Sequence, residues 1–163
     1  MSKEAFALLC AAFVAVLAIG AALGIWSRRR RQRDIAAPLG WAEVVPTLVV
    51  PALYVATTRA GDPYDRVFAH GLGFRGRTDV AIDPEGVQLV ADRREVRIPA
   101  TRIRSVERAT WTIDRVVENG GILVIAHDLD APVDTYLRII GDDTAALEAL
   151  QAIARAPQEG ATP

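Results

Sequence analysis

Residues able to act as ligands, bases or nucleophiles are few in this chain, and their placement argues against most chemistry. His70 and His127 are the only histidines and Cys10 is the only cysteine, so there is no His/Cys set with metal-ligand spacing and no disulfide framework. Ser105 is the sole serine beyond Ser27 and has no base next to it, and neither a GxSxG nor a P-loop sequence occurs. The glycine-rich run Gly71 to Gly76 sits in a long loop followed by strands, so it is not expected to cradle a dinucleotide. Asp128 and Asp130 resemble half of a calcium loop, but Pro132 and the missing final glutamate break the pattern, which makes them turn residues. Asp62 and Asp65 flank Pro63-Tyr64 and suit side-chain bonds that order a loop. His70, among small and apolar neighbours, reads as structural or exposed. These residues predict no enzyme, no metal and no cofactor. The remaining candidates are arginines, the only basic residues beyond Lys3.

The element that must place everything else is Ala5 to Trp26, 22 residues without a charge. As a helix rising ~1.5 Å per residue it reaches roughly 33 Å, enough for a hydrocarbon core of about 30 Å. Arg28, Arg29, Arg30, Arg31 and Arg33 follow it at once. A cleavable signal would carry its basic residues before the apolar run, so the order predicts a retained single-span anchor. The excess of positive charge after the span predicts a plasma-membrane protein with its C-terminal part in the cytoplasm. Gly20 and Gly24 form a GxxxG pair, a spacing that arises easily in so Ala- and Gly-rich a helix.

Beyond the anchor the chain reads as one domain. Residues 1–27 are the anchor, 28–46 a basic juxtamembrane segment and linker broken by Pro38, Gly40 and Pro46, 47–156 the folded domain and 157–163 a frayed tail. Leu39 and Trp41 in the linker suit the interfacial layer of a bilayer. From Asp34 onward 13 arginines face 19 acids, a balance of −6, which argues against nucleic acid as a partner. The charge is polarised: residues 59–115 carry +2 and 116–163 carry −6.

Short strands separated by turns dominate this domain. The first is expected at about Ala52 to Thr58, followed by a long loop, Arg59 to Arg77. Asp79 to Ile82 and Val87 to Val90 flank the turn Asp83-Pro84-Glu85-Gly86; further strands are expected at Glu95 to Ile98, Ile103 to Thr112, Ile122 to Ala126 and Thr135 to Ile140. Asp142 and Asp143 stand where a helix cap belongs, and Ala146, Leu147, Leu150, Ile153 and Ala154 recur at helical spacing before Pro157. About seven strands and then one amphipathic helix is the order of a pleckstrin-homology (PH) fold: a bent antiparallel sheet or barrel capped by its C-terminal helix.

The blocks beginning Tyr54-Val-Ala-Thr-Thr-Arg-Ala-Gly-Asp-Pro-Tyr-Asp-Arg, Ala69-His-Gly-Leu-Gly-Phe-Arg-Gly-Arg, Ile98-Pro-Ala, Ala109-Thr-Trp-Thr-Ile-Asp-Arg and Asp134-Thr-Tyr-Leu-Arg resemble the PH-like domain of a family of small actinobacterial membrane proteins. The resemblance implies no established activity, members of the family being described as membrane or export-related proteins, and the residues themselves point to a non-catalytic module that binds or organises. In PH domains that hold phosphoinositides, basic residues of the first hairpin loop and the next strand ring the phosphates. Arg66, then Arg75-Gly76-Arg77, fits that order, and guanidinium forks suit bidentate phosphate contact. The first reading is nonetheless a scaffold for a membrane-associated protein partner, because PH-like folds often offer a strand edge or groove to another chain. An anionic-lipid or phosphoinositide sensor is the alternative, and an accessory subunit of an export system a third.

Overall fold

β-Branched and small residues over Leu48–Arg59 make a long central strand, β1, and the rest of the domain is assembled on its two edges. The computed structural model describes residues 3–91, 94–109 and 121–155. Two units meet at Arg33 and Asp34. The first contains α1 (Lys3–Arg31), within which Glu4–Ser27 is long and apolar enough to cross a membrane. Its last turns place Arg30 Cζ 5.0 Å from the centre of the Trp26 ring, a cation–π contact.

In the second unit β2 (Asp62–Arg66), β3 (Gly76–Asp83), β4 (Gly86–Ala91) and β5 (Arg94–Pro99) precede β6 (Ile103–Arg108), β7 (Leu123–Leu129), β8 (Ala131–Ile139) and α2 (Thr144–Arg155). The strand order is β5-β4-β3-β1-β8-β7-β6, antiparallel throughout, with β2 paired to the far end of β1. This is an open, PH-like sheet with one strand more than the sequence suggests: β2 lies inside the segment expected to be loop. Residues 110–112 of the expected Ile103–Thr112 strand and the tail lie outside the described residues.

Alternation drives the burial. Every other residue of β7 from Leu123 and of β8 from Ala131 is buried, as expected of strands with one face on a core. Ala146, Leu150 and Ile153 of α2 close that core from one side, and Gln151 Nε2 donates to Val106 O of β6 at 3.3 Å. The two predicted capping acids divide the work. Asp142 Oδ1 accepts from the Thr144 amide at 3.0 Å, whereas the Asp143 carboxylate takes Arg108 at 2.7 and 3.0 Å. Arg108 thereby holds Asp143 below the usual carboxylate range, despite partial burial acting the other way.

Residues 34–47 form a strap fixed to the domain. Ile35 is 2 % exposed and belongs to the core. The Ala36 amide donates to Leu129 O, the Arg97 amide to Leu39 O at 2.9 Å, the Ala42 amide to Gln88 Oε1 at 2.8 Å and the Thr47 amide to Ile82 O at 2.8 Å. These bonds carry the chain past β5, β4 and β3 in turn before it becomes β1. Near the strap, Arg97 grips Asp83 through two bonds of 3.0 and 3.2 Å, both residues being buried. Removing Arg97 would leave the buried Asp83 carboxylate without its counterion, whereas Arg97 also faces Glu85 at 3.5 Å.

Gly86 opens β4 opposite Pro99, and a Cβ there would run into the carbonyl oxygen of Ile98 and stand 3.0 Å from Pro99 Cα. Gly86→Ala is expected to destabilise the domain by about 2 to 3 kcal/mol, a backbone clash that rotamers cannot relieve. Gly40→Ala, with nothing within 4 Å of its added methyl, should leave urea unfolding within about 0.5 kcal/mol of the parent.

Candidate functional site

The stretch from β2 into the start of β3 holds the three arginines singled out from the sequence, and it treats them differently. β1 has an irregularity between Tyr54 and Ala56, where its pairing with β8 skips Val55. A residue squeezed out of a ladder keeps a carbonyl in need of a donor. Arg66, at the end of β2, supplies it: Nη2 donates to Val55 O at 2.8 Å and to Phe74 O at 3.0 Å, with Cζ 6.0 Å from the centre of the Phe68 ring. Arg66 therefore clasps the bulge to the returning loop. Arg75 and Arg77 are exposed. Arg77 pairs in register with Leu53 of β1, which pairs on its other edge with Arg138 of β8.

Gly71, Gly73 and Gly76 have the spacing of a dinucleotide fingerprint, yet they run from a 3-10 turn (Ala69–Gly71) into a strand, where the fingerprint needs a strand-to-helix turn. Two of them make room for aromatic rings. A Cβ on Gly73 would stand 2.7 Å from Phe68 Cδ1, and one on Gly76 would run into the Phe74 ring. His70 adopts φ 56° in this turn and its Nε2 lies 2.9 Å from Ile35 O, tying the loop to the strap. Asp62 Oδ1 accepts from the Tyr64 and Asp65 amides at 2.9 and 3.2 Å, as its turn chemistry leads one to expect. Asp65 instead joins Asp34 in pairing with Arg59. Asp130 makes the β7–β8 turn at φ 58°.

A chain of buried hydroxyls crosses the core beside this segment, and its proton directions can be deduced. Tyr54 Oη donates to Leu72 O at 3.0 Å, so its oxygen accepts from Thr57 Oγ1 at 2.7 Å. Thr57 must then accept from Thr135 at 2.8 Å, and Thr135 from His127 Nε2 at 2.9 Å. His127 is thus the Nε2–H tautomer, with Nδ1 buried and without a hydrogen-bond partner. Burial, with the Arg104 and Arg102 charges adding to it, pushes this imidazole down to about 3. Burial likewise pushes the Tyr54 phenol up to about 12. The relay is a neutral, structural network.

A concavity opens on the β6–β8 wing of the sheet, with Pro63 of β2 in its lining. A groove of about 430 Å3 runs over the outer face of β6, β7 and β8, floored by Ser105, Val124, Ala126 and Tyr136. Glu107, Arg108 and Asp134 form its margins. Arg108 is engaged by Asp143, and Arg104 by Asp128 and Asp134 at 3.3 and 3.8 Å. Glu107 is exposed on this margin, which leaves the groove with an acidic balance. Glu107 comes from the basic part of the sequence and Asp134 from the acidic part, so strand register is needed to assemble this face. Among the described residues no three His, Cys, Asp or Glu side chains are grouped to hold a metal ion.

Residues 36–155 match the family model described as bacterial PH domain-like. The chain belongs to that family. No curated protein matches the chain. The matched residues run from the strap to the end of α2, so the PH-like domain contains both the Arg66 clasp and the groove.

Two outcomes check these assignments. Arg66→Ala should cost about 2 to 3 kcal/mol in urea unfolding, since two carbonyls lose a charged donor, whereas Arg75→Ala/Arg77→Ala should change stability by less than about 0.5 kcal/mol. His127 must stay neutral when folded but takes up a proton near its ordinary value of about 6.5 when unfolded. Its contribution is therefore complete above that pH and is lost as pH falls from about 6.5 toward about 3. A parent-minus-His127→Gln difference in stability should fall over that window, and long-range nitrogen–proton NMR should find the proton on Nε2.

Proposed function

We propose that this protein is a non-catalytic, membrane-anchored module whose PH-like domain holds an extended segment of a membrane-associated protein in the groove over β6, β7 and β8. The observation that carries this reading is the groove itself: an apolar and hydroxyl-bearing floor of strand residues beside β6, which among the described residues is the last strand on its side of the sheet. An extended peptide suits such a surface, and the surplus of carboxylates at its margin favours a segment carrying a basic residue. The helix Glu4–Ser27 supplies the tether, and the arginines from Arg28 to Arg33 favour a cytoplasmic domain at the plasma membrane.

A lipid-sensing reading retains one supporting fact, the exposure of Arg75 and Arg77. Its third member, Arg66, has its guanidinium engaged by the carbonyls of Val55 and Phe74, so a phosphate ring would have to be built without it. An accessory role in export is a special case of the first reading, in which the partner belongs to a transport complex.

A photo-crosslinking side chain placed at Ala126 of the full chain in its native membranes tests the choice. The expected result is a discrete protein adduct that falls by about tenfold or more when Val124→Arg fills the groove, as for loss of an interface centre, and that survives Arg75→Ala/Arg77→Ala. An adduct indifferent to Val124→Arg, or one lost only with the two arginines, overturns the groove as the binding site.

A further inference from the structure

The outward side of the strap is apolar although its inward side is firmly bonded. Leu39 is 50 %, Trp41 45 % and Val45 88 % exposed, and Val49, the next outward residue of β1, is 53 % exposed. The backbone between them is fixed by the bonds to Arg97, Gln88 and Ile82, so these side chains are presented by a bonded segment and are not a loose tail. Glu43 is the only charge from Leu39 to Val49.

Chain length selects what covers this side. Ile35 lies in the domain core, four residue steps beyond Arg31, where α1 ends. Fully extended, four steps reach at most about 14 Å. Wherever the bilayer holds the arginine turn, the beginning of the strap is within that distance of the head groups. The indole and three aliphatic side chains that the strap then presents match the interfacial layer, where tryptophan is enriched.

We infer that the strap is a second membrane contact: Leu39, Trp41, Val45 and Val49 seat in the interfacial layer of the bilayer and fix the orientation of the domain over it. The contact is apolar, so it requires neither anionic lipid nor Arg75 and Arg77, and it withstands salt. This inference rests on reading Glu4–Ser27 as a membrane span, and the test separates the two.

The full chain is reconstituted in phosphatidylcholine vesicles as two single-tryptophan variants: Trp26→Phe/Trp111→Phe, which retains Trp41, and Trp41→Phe/Trp111→Phe, which retains Trp26. Nitroxide lipid labelled near the head group should remove most of the Trp41 emission, and iodide in the water little of it, at low and moderate salt alike. A third variant, Cys10→Ala/Val45→Cys carrying an environment-sensitive dye, gives the same readout without touching a tryptophan. Trp41 and the dye both quenched by iodide, or shielded from iodide and nitroxide together as against a protein or second copy, would overturn the inference. Quenching of Trp26 by the lipid label keeps the anchor reading whatever Trp41 does; its failure sinks the anchor reading and the strap contact with it.

Discussion

A single guanidinium decides whether the central strand can serve two halves of a sheet. β1 pairs with β3 from Leu48 to Tyr54 and with β8 from Ala52 to Arg59, and the β8 ladder skips Val55 just where the β3 pairing ends. The skipped residue leaves a carbonyl that neither neighbour can satisfy. Arg66 satisfies it and, with the same nitrogen, holds Phe74 O at the threshold of β3. The path of the β1–β3 segment, which brings Leu72 O to Tyr54 Oη, is held by that contact. Arginine suits the place because its planar fork stays charged and reaches two acceptors at once.

Strand alternation and helical spacing made most of this architecture legible. The strands flanking Asp83-Pro84-Glu85-Gly86, the alternating strands near the end and the helix after Asp142-Asp143 lie close to where their patterns put them. β2 was hidden because Asp-Pro-Tyr-Asp-Arg has the composition of a turn, and it becomes a strand only by pairing with the overhanging end of β1. The strap was hidden for a related reason. Pro38, Gly40 and Pro46 do break helix and sheet, but a broken backbone can still donate and accept singly, as it does at Leu39, Ala42 and Thr47.

The site was less legible than the fold. Arginine spacing could mark Arg66, Arg75 and Arg77 as a group, since type and order are sequence properties. It could not separate an arginine that faces water from one committed to backbone carbonyls, because the acceptors arise from a bulge. The groove is the converse case. Ser105, Ala126 and Asp134 are cross-strand neighbours through registers that place residues 105 and 134 on opposite edges of β7. Nothing in the spacing of such ordinary residues announces a surface until the strands are paired.

The bridge between Leu39 and Arg97 has a further consequence. β5 ends one side of the sheet, and an uncovered edge strand is a template on which other chains can add. The segment that joins α1 to the domain bridges that edge at Leu39 and Arg97. Linkage and edge protection are therefore the business of the same few residues: a strap displaced from Arg97 would uncover a strand edge on which another chain can add.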